Sequence, residues 1–290
     1  MPEGHTLHRL AATLADRFAG RVVDVSSPQG RFAASSAQLT GTELKDAEAW
    51  GKHLFVEFEG DRFVHVHLGL YGKFDVYDGP APDPVGQIRL RLVSTDSPAG
   101  SEGSTTPGGS YADLRGASAC ELLTPDGRQD VVDRLGPDPL RKDAEPGRAW
   151  LRISRSKAPI GALLMDQKVL AGVGNVYRAE VLFRHRIHPL RPGNTLRTGQ
   201  FQAMWDDLVG LMQYGVLTGR IDTVRDEHTP EAMNREPRRD DHGGEVYVYR
   251  RHDQSCHVCG GKVRTEVLAA RNLFWCPRCQ PRFRSRAVVR

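Results

Sequence analysis

Leu7, Leu10, Leu14 and Phe18 recur at three- and four-residue spacing directly after Glu3, which predicts a helix that stops near Gly20. Beyond it the period changes to two. Val22-Val23-Asp24-Val25 and residues 53–58, 62–68 and 87–93 alternate or run β-branched and aromatic, which predicts strands over about 21–123. In Gln87-Ile88-Arg89-Leu90-Arg91-Leu92 one face is apolar and the other polar and basic. Short strands separated by glycine-rich turns predict an antiparallel sandwich or barrel. Helical spacing returns in 160–167, 175–185 and 198–214. Between the first two, Leu170-Ala171-Gly172-Val173-Gly174-Asn175 reads as a glycine-bearing double turn. The fold class is therefore α+β, with strands first, helices next and short strands again around the C-terminal cysteines.

The interruptions in this pattern divide the chain. Residues 94–110, rich in Ser, Gly, Thr and Pro, read as a flexible loop between two strands. Residues 225–245 are charged and read as a mobile loop. Pro, Asp and Arg dominate the stretch up to 150, which reads as a connection. The expected organisation is a β domain over 1–124, a linker over 125–150, a helical domain over 151–245, and a cysteine-bearing module with a basic tail over 246–290.

Composition adds a partner class. The 290 residues are 39% hydrophobic and 26% charged, as in soluble globular proteins, and no stretch approaches the roughly 20 apolar residues of a membrane span. No apolar leader follows the first residues, so a cytoplasmic location with no membrane partner is expected. The net charge of +4 is unevenly spread: residues 247–290 hold ten Lys/Arg against Asp253 and Glu266, a surplus of eight, which leaves −4 on the rest. A basic module on a mildly acidic body suits a polyanion docked at one place.

Four of the five cysteines fall in that module. Cys256-x2-Cys259, sixteen residues, then Cys276-x2-Cys279 is the spacing of a tetrahedral four-thiolate zinc site. Four protein ligands leave no position for water, so one structural Zn2+ is expected. Disulfides are not expected in the cytosol, and Cys120 reads as a small buried apolar residue. A β-ribbon this basic suits a nucleic-acid finger. Arg271, near the tip of the hairpin between the knuckles, either reaches a phosphate or is an exposed charge.

The chain begins Met1-Pro2-Glu3. Once the initiator Met is clipped, Pro2 carries a secondary amine able to attack an electrophilic carbon and form an iminium ion. Glu3 beside it can move a proton. At a helix N-terminus the dipole favours the carboxylate and disfavours a protonated amine. Lys52 precedes a predicted strand and is either solvated or functional. His65 and His67 share a strand face and read as structural rather than as metal ligands. Leu68-Gly69-Leu70-Tyr71-Gly72 is either a hairpin with a buried Leu or a wedge that fills the gap left by a base turned out of a duplex.

Taken in order, Met1-Pro2-Glu3-Gly4, Gly51-Lys52, the run from His67 to Gly72, Leu164-Met165-Asp166-Gln167, Ala171-Gly172-Val173-Gly174-Asn175 and Phe274-Trp275-Cys276-Pro277-Arg278-Cys279-Gln280 resemble the formamidopyrimidine-DNA glycosylase/endonuclease VIII family from residue 2 to about 280. Pro-Glu-Gly-His at the start resembles the endonuclease VIII branch, and actinobacterial members of it most. The resemblance implies an N-terminal helix on a two-layer antiparallel β-sandwich, then a helix–two-turns–helix domain and a zinc-finger hairpin. It implies Pro2 as the nucleophile at C1′ and Glu3 as the acid/base. It makes Lys52 a phosphate-contacting lysine that supports catalysis, Asn175 and Arg271 phosphate ligands, and Leu70 and Tyr71 the intercalation region.

The implied activity is bifunctional: excision of an oxidised base, pyrimidines foremost, then β,δ-elimination at the abasic site. The implied partner is damaged DNA, duplex or single-stranded, met by a bacterial monomer at the nucleoid. The chain departs from the purine-specific branch at Asp113-Leu114-Arg115-Gly116, which is shorter than that branch's Asp-Pro-Arg-Arg-Phe-Gly turn and lacks its Phe. This leaves Arg115 as a phosphate or void-filling residue. Excision of oxidised purines, and a non-catalytic DNA-binding protein, remain the alternatives.

Overall fold

The computed structural model describes residues 2–94, 109–239 and 244–283. The chain forms two compact units: one ends at Arg134 and the other begins at Leu135. The centre of the expected 94–110 loop, the 240–243 part of the expected 225–245 loop and the last residues of the basic tail lie outside the described residues. Among the described residues no helix is long and apolar enough to cross a membrane.

In the first unit the predicted helix spans Gly4–Phe18 (α1). Its apolar stripe of Leu7, Leu10, Leu14 and Phe18 is buried. Eight strands follow, every pair antiparallel: β1 (Arg21–Ser26), β2 (Thr42–Trp50), β3 (His53–Phe58), β4 (Arg62–His67), β5 (Lys73–Asp78), β6 (Ile88–Ser94), β7 (Ser110–Arg115) and β8 (Ala119–Leu123). A helical turn, α2 (Ala33–Ser36), lies between β1 and β2. The strand order is β5-β7-β6-β1-β2-β3-β4-β8. β1 serves both layers of the sandwich: Arg21, Val22 and Val23 pair with β2, whereas Asp24, Val25 and Ser26 pair with β6. The core between the layers holds Val23, Leu44, Val56, Val64, Leu90, Leu92 and Leu114, and α1 packs on β2 and β3. Cys120 is part of this core, and burial pushes its thiol up to about 12.

One feature of β6 differs from its sequence pattern. The basic face expected from the alternation is not solvated at Arg91, which is buried. Asp113 stands directly opposite on β7, and its carboxylate accepts from Arg91 Nε at 2.7 Å and Nη2 at 2.8 Å. A bidentate partner in register is what lets a guanidinium sit inside a sandwich.

The stretch over 125–150 is largely helical, and the boundary between the units falls inside it. It holds α3 (Pro125–Asp133), capped by Thr124 Oγ1, which accepts from the Gly127 amide at 3.2 Å, and the start of α4 (Pro146–Ser154). Two of its four prolines, Pro125 and Pro146, occupy the first turns of these helices, where a missing N–H costs nothing, and Pro137 and Pro139 lie in the connection between them.

The helix expected over 160–167 is one turn, α5 (Ile160–Leu163). The chain then winds through tight turns into α6 (Asn175–Arg184). The last long helix, α7 (Thr198–Thr218), ends at Gly219 in the left-handed conformation (φ 75°). Residues 225–239 are mostly irregular, as their composition implies, and contacts to Glu245 hold part of them. Arg235 pairs with Glu245 at 2.6 Å, and the Arg238 amide donates to the same carboxylate at 2.6 Å. The unit closes with the hairpin of β9 (Arg264–Leu268) and β10 (Arg271–Trp275), whose Phe274 joins Val176, Leu182, Met204 and Val248 in one core.

Candidate functional site

Pro2 and Glu3 stand immediately before α1, with Glu3 in extended backbone at the helix cap and its carbonyl accepting from the Thr6 amide at 3.0 Å. Glu3 is fully buried, whereas Pro2 is half-buried. A carboxylate at a helix N-terminus sits at the favourable end of the dipole. Lys52 lies at the tip of the β2–β3 hairpin. Trp50 pairs with His53, so Gly51 and Lys52 form a two-residue loop, and Gly51 takes the positive φ (59°) that such a turn needs at its first position. The helix that presents Pro2 and Glu3 thus lies on the hairpin that presents Lys52.

Residues 68–72 make a second tight turn. The Gly72 amide donates to the Leu68 carbonyl at 3.0 Å, and a Cβ on Gly72 would come within 2.3 Å of that oxygen. The buried leucine is Leu68, at 3% exposure. The turn thus has the buried leucine of the plain hairpin reading, while Leu70 is 44% and Tyr71 86% exposed. Arg115 meets Asp113 at 2.9 Å and the Val85 carbonyl at 3.5 Å.

Beside Lys52 stands a column of histidines. His65 Nδ1 meets Glu121 Oε1 at 2.8 Å, and His65 Nε2 meets His53 Nδ1 at 2.8 Å. A carboxylate accepts, so His65 Nδ1 carries the proton, His65 Nε2 accepts, and His53 Nδ1 donates. His67 packs against His53 with ring centroids 5.0 Å apart, and its Nδ1 meets Ser118 Oγ at 2.8 Å. Burial first, then the neighbouring His65, His67, Arg134 and Lys52, push His53 down to about 3. Burial likewise lowers His65 and His67.

In the second unit the double turn is fastened by Gln167. Its Oε1 accepts from the Gly172 amide at 3.0 Å, and its Nε2 donates to the carbonyls of Met165 at 3.0 Å and Val173 at 2.9 Å. Asn175 is the first residue of α6, and its Oδ1 accepts from Arg178 Nη2. Arg271 is exposed at the start of β10, paired with Leu268 across a loop of Ala269 and Ala270.

The four cysteine sulfurs lie within 4.8 Å of one another, with Cys256–Cys279 at 3.9 Å and Cys259–Cys276 at 3.4 Å. A tetrahedron with metal–sulfur bonds of about 2.3 Å has edges of about 3.8 Å, so the four thiolates fit a closed metal site. Among the described residues no other group of cysteines, histidines and carboxylates is clustered this way. Gln280 anchors the site: its Oε1 accepts from the Cys276 amide at 3.0 Å, and its Nε2 donates to the Ile187 carbonyl at 2.8 Å.

Residues 1–116 match the formamidopyrimidine-DNA glycosylase N-terminal domain, 135–226 the formamidopyrimidine-DNA glycosylase H2TH domain, and 253–282 the zinc finger found in FPG and IleRS. The chain is 53% identical over 287 residues to endonuclease 8 1 of Mycobacterium tuberculosis, covering 97% of this chain and 100% of that protein. The chain belongs to the formamidopyrimidine-DNA glycosylase/endonuclease VIII family. It is also 27% identical over 290 residues to endonuclease 8 of Pectobacterium carotovorum, covering 97% of this chain and 100% of the relative. A crystal structure of Lactococcus lactis Fpg in complex with DNA containing an abasic site shares the fold. Its TM-score is 0.73 at 21% identity, over 97% of this chain and 100% of that one. As a member of this family the chain is a DNA glycosylase of base excision repair with lyase activity at abasic sites.

Several residues that hold this framework together are not evident from the sequence alone. Gln167 and Gln280 lie inside the motifs Leu164-Met165-Asp166-Gln167 and Phe274-Trp275-Cys276-Pro277-Arg278-Cys279-Gln280, whose spacing gives neither a role. Arg178 and Glu180 are charges within a helix otherwise buried from Asn175 to Phe183, and a charged pair in so apolar a run is a legible sign of satisfied buried ions.

Proposed function

We propose that this glycosylase removes oxidised bases from DNA, pyrimidines foremost, and then cuts the strand by β,δ-elimination. The observation that carries the reading is Pro2 beside the fully buried Glu3 at the start of α1, on the hairpin tipped by Lys52. With Met1 removed, the Pro2 nitrogen attacks C1′ of the damaged nucleotide. The glycosidic bond breaks and the base leaves with a proton. Glu3 protonates the ring oxygen as the sugar opens, which leaves an iminium between Pro2 and C1′. That cation acidifies the C2′ proton, whose loss expels the 3′ phosphate. Loss of a second proton expels the 5′ phosphate. Water then hydrolyses the iminium and frees Pro2.

The remaining residues hold the substrate. A base in a duplex is out of reach, and turning it out costs a few kcal/mol of stacking, least at a damaged pair. Leu70 and Tyr71 are exposed enough to fill the gap. Lys52, Asn175 and Arg271 are assigned to phosphates, Asn175 at a helix N-terminus where anions are favoured. One structural zinc in the four cysteines shapes the finger, and no step passes through it. In this organisation residues 1–124 carry the chemistry, while 151–245 and 246–290 grip the DNA. The preference for pyrimidines is supported by the 53% identity to a protein named endonuclease 8 1 and by residues 113–115, which run as strand β7 rather than as a projecting turn.

Borohydride trapping on duplexes containing thymine glycol, 5-hydroxyuracil or 8-oxoguanine tests both levels. The reading expects a covalent adduct with the first two and little with the third. Trapping by a form that retains Met1 rules out Pro2, and a dominant 8-oxoguanine adduct rules out the pyrimidine preference.

A further inference from the structure

Arg178 is the largest fully buried side chain among the described residues, 1% exposed within α6. A guanidinium so enclosed needs acceptors, and its partners come from three separate segments. Nη1 donates to the Gly161 carbonyl at 3.1 Å, on the turn α5. Nη2 donates to Asn175 Oδ1 and to the Asn272 carbonyl at 3.1 Å, on β10 beside Arg271. The helix and this strand pack directly on each other.

Two consequences follow from donor chemistry alone. A guanidinium can only donate, so the carboxamide atom facing Arg178 is the oxygen. The Asn175 nitrogen is therefore the atom turned away, and among the described residues it donates to none. It is set at the N-terminus of a ten-residue helix as an N–H donor, the polarity a phosphate oxygen requires. The same guanidinium also holds the backbone of Asn272, so the residue carrying Arg271 is fixed relative to Asn175.

We propose that Arg178 is a positioning residue for DNA binding: it locks the Asn175 carboxamide with its N–H2 outward and ties it to the hairpin bearing Arg271, so that the two act as one phosphate clamp. This rests on the reading of Asn175 and Arg271 as phosphate ligands. Arg178 touches no DNA; it acts through Asn175.

The test is a double-mutant cycle read by the dissociation constant of the full chain for a duplex with a tetrahydrofuran abasic-site analogue, over a series of salt concentrations. Asn175→Ala and Arg178→Met each weaken binding about tenfold or more, the loss of one charge-assisted hydrogen bond. The slope of the salt dependence stays that of the wild type, because neither change removes a cation that meets a phosphate. The double variant binds no more weakly than Asn175→Ala. Asn175→Ala and Arg271→Ala together lose less than the product of their separate effects.

Full multiplication of the Arg178→Met and Asn175→Ala losses, or wild-type binding by Arg178→Met, overturns the inference while leaving the phosphate role of Asn175 standing. Wild-type binding by Asn175→Ala removes that role and the inference with it. Should Arg178→Met not fold, Asn175→Asp decides. It keeps an acceptor for Arg178 but has no N–H donor, so the expected result is an unchanged or raised melting temperature with DNA binding lost. A lowered melting temperature shows that Arg178 does not hold that oxygen.

Discussion

The carboxylate of Glu180 accepts a hydrogen bond from the backbone amide of Tyr247 at 2.6 Å, across 67 residues of sequence. The same two oxygens take the amides of Val248 at 2.9 Å and Tyr249 at 2.8 Å and the hydroxyl of Thr223 at 2.7 Å. Glu180 is fully buried, so these donors have no water to turn to. One carboxylate thereby fastens α6 to the turn over 247–250 that leads into the cysteine module. Glu180→Gln replaces an oxygen by an N–H2 that faces amide donors, and about 3 kcal/mol of stability should be lost. Urea unfolding of the zinc-loaded protein measures it. A loss below about 1 kcal/mol means the amides find other acceptors.

The wedge has its own test. Leu70 and Tyr71 are exposed, so they contribute little to folding. Leu70→Ala with Tyr71→Ala should leave the melting temperature within about 2 °C of the wild type, because a change under about 0.5 kcal/mol moves it no further. Base excision from a thymine glycol duplex should slow at least tenfold, while lyase activity on a single strand, where no gap needs filling, changes little. Equal slowing on both substrates argues against a void-filling role.

Much of this was legible in the sequence because it depends on local pattern. The α1 stripe, strand β3 and the cysteine knuckles follow from spacing. What stayed hidden depends on partners far along the chain. Nothing near Arg91 announces Asp113, 22 residues on, and nothing near Glu180 announces Tyr247. The division of β1 between two layers is a property of closure, which no single strand encodes. Proline is ambiguous in the 125–150 stretch: Pro125 and Pro146 start helices, whereas Pro137 and Pro139 lie between them.

The tip of the cysteine hairpin stores strain. Ala269 (φ 49°) and Ala270 (φ 58°) both occupy the left-handed region, where a side chain costs on the order of 1 kcal/mol per residue. A two-residue loop with two positive φ angles prefers Asn-Gly. The pair Ala269→Asn and Ala270→Gly should therefore raise stability by about 1 kcal/mol and slow metal loss to a chelator, without moving Arg271 from its pairing with Leu268. A faster loss of metal shows that the two alanines contribute contacts that outweigh the strain.

The histidine column predicts a pH dependence with a definite sign. His53 falls from its ordinary 6.5 to about 3, burial being the first cause. Between those values the unfolded chain carries a proton on His53 that the folded chain does not. Stability is therefore full above about pH 6.5 and declines as pH falls towards 3, by at most about 1.4 kcal/mol per pH unit for this group. His53→Asn retains a donor for His65 Nε2 but takes up no proton. Chemical denaturation of both proteins at intervals from pH 7 to pH 4 should show the wild type losing stability more steeply than the variant on the acid side. Parallel curves remove His53 as the source of that slope, and a steeper curve for the variant reverses the assignment.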